Sequence, residues 1–147
     1  MRTPANIAKH PIHPMLVTIP IGLWIFSFAC DLIHLFGGTS PNWKIAALYS
    51  MIGGIAGALL AAIPGLIDLR SLPPGIKRIG LMHMAINLTV VVLYAVNAWL
   101  RTRRPAESMI WLSAISIGLL AVSGWLGGKM VYVHGVAVEI PPEPASR

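Results

Sequence analysis

The chain has 147 residues, of which 56% are hydrophobic and only 11% charged, and its mean hydropathy is +0.73. Soluble domains carry about 25% charged residues. Eleven basic and five acidic side chains cannot cover a water-facing surface, so the composition excludes a soluble domain and points to a single membrane-embedded one. The net charge of +6 lies in short loops between apolar segments, where it reads as a topology signal and as lipid headgroup contact, not as a nucleic-acid surface.

In chain order, Met1 to His13 carries charge, and the apolar run after it is too long for a signal peptide and lacks a clean small-x-small cleavage site. It is expected to be a retained first span. Span 1 is predicted over about 14–36, preceded by His10-Pro-Ile-His-Pro14. The prolines should hold both histidines in an extended, semi-rigid approach, and Pro20 should kink the helix. Cys30 lies in this span as the single cysteine, so there is no disulfide framework and no CxxC metal motif. Gly37-Gly-Thr-Ser-Pro41 is a turn. Span 2 covers about 43–69, with Gly53 and Gly57 forming a small-residue strip. Arg70 to Arg78 reads as a basic turn and Asp68 as half of a surface ion pair with Arg70. Span 3 covers about 79–100, Arg101-Thr-Arg-Arg-Pro105 is a second basic turn, and span 4 covers about 107–133, with Gly124 and Gly128 as a further strip. A proline-rich tail, 139–147, is expected to be extended or disordered. Four such spans joined by short loops predict an all-α, integral membrane, antiparallel up-down four-helix bundle. No internal repeat is evident, which makes a transporter the least favoured class.

Antiparallel order puts His10, His13, Asp68, His83 and His134 at one face of the membrane and His34 alone at the other. Steps of three and four trace polar or small seams: His13, Val17, Pro20, Trp24, Ser27, Asp31 and His34 on span 1; His83, Asn87, Val90, Tyr94, Asn97 and Arg101 on span 3; Ser113, Ser116, Leu120, Ser123, Gly127, Met130 and His134 on span 4. Polar groups are costly in lipid and face the bundle interior. The histidines should therefore converge. A lone interfacial histidine is ordinarily a headgroup contact or helix cap, and glycine strips are ordinarily packing devices. Four histidines at one face, with His13, His83 and His134 on in-phase seams, outweigh that reading. Asp31 should be inward-facing and paired, with Arg101 as its partner. Trp24 and Trp125 fall deep enough to line the interior, whereas Trp43, Trp99, Trp111 and Tyr132 read as an interfacial aromatic belt.

His10-Pro-Ile-His-Pro-Met-Leu-Val17, Pro64-Gly-Leu-Ile-Asp68, His83-Met-Ala-Ile-Asn87 and Gly124-Trp-Leu-Gly-Gly-Lys-Met-Val-Tyr-Val-His-Gly-Val136 together resemble the DUF2231 family of bacterial four-helix membrane proteins. More distantly the chain resembles the b561-type membrane cytochromes, in which paired histidines ligate haem b. The resemblance implies redox work in a bacterial inner membrane, and a Rieske-type or cytochrome subunit as redox partner. It departs from the two-haem pattern, because the face carrying His34 offers no second histidine.

Three functions compete. The first is an electron-transfer subunit holding one bis-histidine haem b, with two of His83, His134 and His13 as axial ligands. Gly127 and Gly128 would make room for the ring, Lys129 would reach a propionate, and Asn87 would orient His83. The second is a non-haem Fe, Cu or Zn site built from His83, His134, His13 and Asp68. The third is a cofactor-free scaffold subunit within a homo-oligomer or larger complex. Seven basic residues on the face holding both termini against four on the other favour cytoplasmic termini.

Overall fold

A computed structural model of the chain describes residues 1–104 and 109–138. Four helical segments are long and apolar enough to cross a membrane: Ile12–Leu35, Asn42–Ser71, Pro74–Arg103 and Ile110–Val133. They pack as an antiparallel up-down bundle. The expected tail, 139–147, and the expected first residues of span 4 lie outside the described residues.

The first span is two helices, α1 (Ile12–Leu16) and α2 (Thr18–Leu35). Pro20 explains the break. It has no N–H to return to Leu16, so the regular ladder fails one turn before the proline, and the chain continues through Val17 N–H to His13 O and Ile21 N–H to Val17 O. His13 therefore stands inside the first helical turn, and not in an extended approach as the prolines suggested. His10 does lie in extended chain. It pairs with Ile7 in a two-residue hairpin ladder, β1 (Asn6–Ile7) with β2 (His10–Pro11), whose turn places Ala8 and Lys9 at positive φ.

α3 (Asn42–Ser71) and α4 (Pro74–Arg103) are each 30 residues, about 45 Å at 1.5 Å per residue. That is longer than a hydrocarbon core of about 30 Å, so their ends project into the headgroup layer. The connection between them is only Leu72 and Pro73. The rest of the expected basic turn is helical, because Pro74 occupies the first helical position, where its fixed φ fits and its missing N–H costs nothing. α5 (Ile110–Gly128) runs into a π-helical turn, Lys129–Val133, closed by His134.

The core runs along the bundle axis. Trp24, Met51, Val90 and Tyr94 are sealed from the surroundings, and the outward faces carry Ile, Leu, Val and Phe for the lipid. Small residues let α3 close on α2: a Cβ on Gly57 would lie 3.0 Å from Ile19, and one on Gly54 would run into the Trp24 indole. The other expected strip behaves differently. Gly124 has nothing within 4 Å and Gly128 meets only the Tyr132 ring, so both lie off the packed face, and it is Gly127 that packs inward. Trp125 is 78% exposed and faces outward, not inward as its depth suggested.

One end of the bundle is closed by the N-terminal segment. Met1 O accepts from Ala137 N–H (2.9 Å), Ala5 O accepts from Ile12 N–H (3.0 Å), and Asp68 Oδ1 accepts from Ala5 N–H (2.8 Å). Asp68 is thus a buried anchor for the incoming chain, which replaces the expected surface pair with Arg70. Leu69, Leu72 and Val136 seal the same end.

Candidate functional site

The structure brings the His13 and His83 rings together edge to face. Their ring centres are 6.3 Å apart and their planes are nearly perpendicular, at 87°. His13 Nδ1 is 2.8 Å from the Ala61 carbonyl on α3, and His83 Nδ1 is 2.9 Å from the Ser123 carbonyl on α5. A carbonyl oxygen can only accept, so each Nδ1 carries the proton and each Nε2 keeps its lone pair. Ser123 Oγ, 2.9 Å from the same His83 Nδ1, shares that proton. This is the tautomer that a metal-ligating histidine needs, with the far nitrogen oriented by a backbone carbonyl.

Each ring rests on a glycine. A Cβ on Gly65 would sit 2.8 Å from the His13 ring, and one on Gly127 would sit 3.3 Å from the His83 ring. Asn87, one turn along α4, donates its amide to the His83 carbonyl (2.9 Å) and to His83 Nε2 (3.1 Å). The lone pair of His83 is therefore held by a neutral donor.

The remaining expected site residues are placed differently. His134 closes the π-helical turn at this end of the bundle, and its Nε2 is buried with no hydrogen-bond partner. Asp68 is engaged by Ala5 N–H. Gly128 turns toward Tyr132, and Lys129 is exposed. His10 bonds Ala8 O in the hairpin turn, and His34 bonds Gly38 O at the opposite end. Among the described residues no three His, Cys, Asp or Glu side chains are gathered to hold a metal ion. Ala61 and Gly65 were missed in the sequence because Pro64-Gly65 reads first as a breaker. Their four-residue spacing opposite His13 was the available signal.

The far end of the bundle is also polar. Arg101 donates from both terminal nitrogens to Asp31, at 2.6 Å each, and from Nε to Asn97 Oδ1 at 2.9 Å. Asn97 in turn donates to Ser113 Oγ at 3.0 Å. The pairing expected for Asp31 is present. Between the two polar ends, Trp24 stacks on Tyr94 with ring centres 4.6 Å apart and planes at 11°.

Four membrane-length helices carry the His-Pro approach, the Pro-Gly-x-x-Asp stretch of α3 and the glycine-rich end of α5 at one face. The profile of predicted membrane proteins DUF2231 matches residues 9–140. The chain belongs to the DUF2231 family. In this DUF2231 protein the matched span takes in both facing histidines and the residues that hold them. No curated protein and no solved structure matches the chain.

Proposed function

We propose that this DUF2231 protein is a membrane-embedded electron-transfer subunit that holds one b-type haem between His13 and His83. The observation that carries the reading is the facing pair. Two imidazoles sharing one metal through bonds of about 2 Å place their ring centres roughly 6 Å apart, and these stand at 6.3 Å with both Nδ1 protons committed to carbonyls. The donor set is one that would suit haem iron: two neutral imidazoles, each with its Nε2 unprotonated. Bound there, haem supplies a reversible one-electron store.

This chain's residues do the rest. Ala61 and Ser123 carbonyls fix the tautomers, Gly65 and Gly127 let the rings lie against the helices, and Asn87 yields the His83 lone pair when its amide turns away. The buried layer of Trp24, Val90 and Tyr94 beneath excludes water from the inner side. A three-ligand non-haem ion fits less well, because Asp68 accepts from Ala5 N–H and no three His, Cys, Asp or Glu side chains are gathered among the described residues. A redox partner, such as a Rieske-type or cytochrome subunit, would approach at this end. Arg101 belongs to a buried ion pair, so it drops out of the headgroup count on the opposite face, which strengthens the charge bias toward cytoplasmic termini.

Absorption spectra of the purified protein, air-oxidised and dithionite-reduced, test the proposal. A Soret band that His13→Ala and His83→Ala each abolish or shift, and that His34→Ala leaves alone, supports it. If His134→Ala removes the band and His13→Ala does not, His134 is the second ligand. Stoichiometric metal without a Soret band selects the non-haem reading, and neither selects the scaffold.

A further inference from the structure

The two histidines are held by matching devices. His13 crosses to the next span, α3, bonds the Ala61 carbonyl and lays its ring over Gly65, four residues on. His83 crosses to the next helix, α5, bonds the Ser123 carbonyl and lays its ring over Gly127, again four residues on. The match recurs at the opposite end. Ser27 on α2 donates to Ala47 O on α3 (2.8 Å), and Asn97 on α4 donates to Met109 O at the start of α5 (3.4 Å).

Register is preserved throughout. The three pairs that meet between the first and third spans, His13 with His83, Trp24 with Tyr94 and Asp31 with Arg101, are each 70 residues apart. A second constant step relates the partner helices, carrying Ala47 to Met109, Ala61 to Ser123 and Gly65 to Gly127. The first and third spans run the same way, as do the second and fourth. One half-turn about an axis parallel to the helices therefore carries the first hairpin onto the second.

We infer that the bundle is two copies of one helical-hairpin plan, and that Ala61 with Gly65 and Ser123 with Gly127 are equivalent sockets that hold His13 and His83 in the same tautomer on either side of the shared axis. The sockets deepen the proposed site and rest on that reading only for the identity of the group held. Residues of the sockets are positioning residues. Each supplies a carbonyl and a glycine four apart, the spacing that puts both on one helix face. The axis also explains the opposite charges of Asp31 and Arg101. A faithful copy would face two like charges across it, whereas the divergent pair neutralises.

Nitrogen NMR of histidine-labelled, haem-free protein in detergent micelles tests this at pH 8.5, above the ordinary imidazole pKa of about 6.5. His13 and His83, assigned through His13→Gln and His83→Gln, should both show the Nδ1–H tautomer. Gly65→Ala should move only the His13 signals and Gly127→Ala only those of His83, with the larger shift at Gly65, where the added carbon is closer. Gly118→Ala, with nothing within 4 Å, should move neither. Ser123→Ala makes the second socket identical to the first and should preserve the His83 tautomer. That variant keeps its backbone contacts, so it carries the test if Gly65→Ala does not accumulate. Different tautomers at His13 and His83, or a tautomer change in Ser123→Ala, would overturn the sockets whatever the absorption spectrum. A missing Soret band with matched tautomers would remove haem and leave the sockets standing.

Discussion

Asp31 and Arg101 are 4% and 8% exposed and share a two-pronged contact at the end of the bundle opposite the histidine pair. Removing one partner leaves the other charge buried and alone, which costs about 3–5 kcal/mol. Asp31→Asn should therefore lower stability by about that amount in denaturant unfolding of the detergent-purified protein, and Arg101→Gln should do the same. Asn97 orients Arg101 through Nε and is itself tied to Ser113, so Asn97→Ala should cost less, about 1–2 kcal/mol for the lost hydrogen bonds. Asn87 differs in kind. It occupies the His83 lone pair without fixing the ring, which the Ser123 carbonyl already holds. If haem is held as proposed, Asn87→Leu should leave its occupancy equal or higher, read from the Soret absorbance per protein, whereas a fall would make the amide part of the binding machinery.

At the scale of helices, glycine decides which faces close. Gly54 lies under the Trp24 indole, and that indole stacks on Tyr94 and donates to Met51 O at 3.3 Å. A side chain there must push the whole Trp24–Tyr94 layer aside. Gly54→Val should destabilise by about 1–3 kcal/mol, the usual range for an overfilled core, seen as a lower melting temperature in micelles. Gly118 and Gly22 meet nothing within 4 Å. Alanine at either position should be neutral or stabilise by up to about 1 kcal/mol, because only the backbone freedom of glycine is lost. A loss at Gly118→Ala equal to that of Gly54→Val would show that the outward face of α5 is covered in the membrane.

For the whole molecule, the single cysteine is a probe of closure. Cys30 is fully buried on α2. It should resist maleimide labelling in the folded, micelle-bound protein and take up one label after denaturation in SDS. Reaction at the rate of a free thiol would mean that α2 is not held inside the bundle. The hydrogen bond from Ala137 N–H to Met1 O puts the two ends of the described chain at one side. Reporters fused at either end should therefore give the same sidedness. A C-terminal reporter active only in the periplasm would reverse the orientation proposed from charge.

The four spans, their up-down order and the clustering of histidines at one face all follow from the sequence. Apolar length alone compels helices in lipid, and the number of short loops compels antiparallel neighbours. The inward seams were legible too. Polar side chains at His83, Asn87, Asn97 and Arg101 have one affordable direction to point. The choice of partner was not legible. Nothing local to His13 or His83 says that Ala61 or Ser123 will supply the carbonyl, because that depends on how far each helix slides against its neighbour. The slide is set by where glycine lets a backbone approach. For the same reason the sequence could not say that Gly127, and not Gly124 or Gly128, would face a histidine. The repeat escaped notice because matched positions keep burial and lose identity, as at Trp24 and Tyr94, Ser27 and Asn97, or Asp31 and Arg101. Only tertiary packing, which answers to position across the axis and not to residue type, makes the two halves visible as one plan used twice.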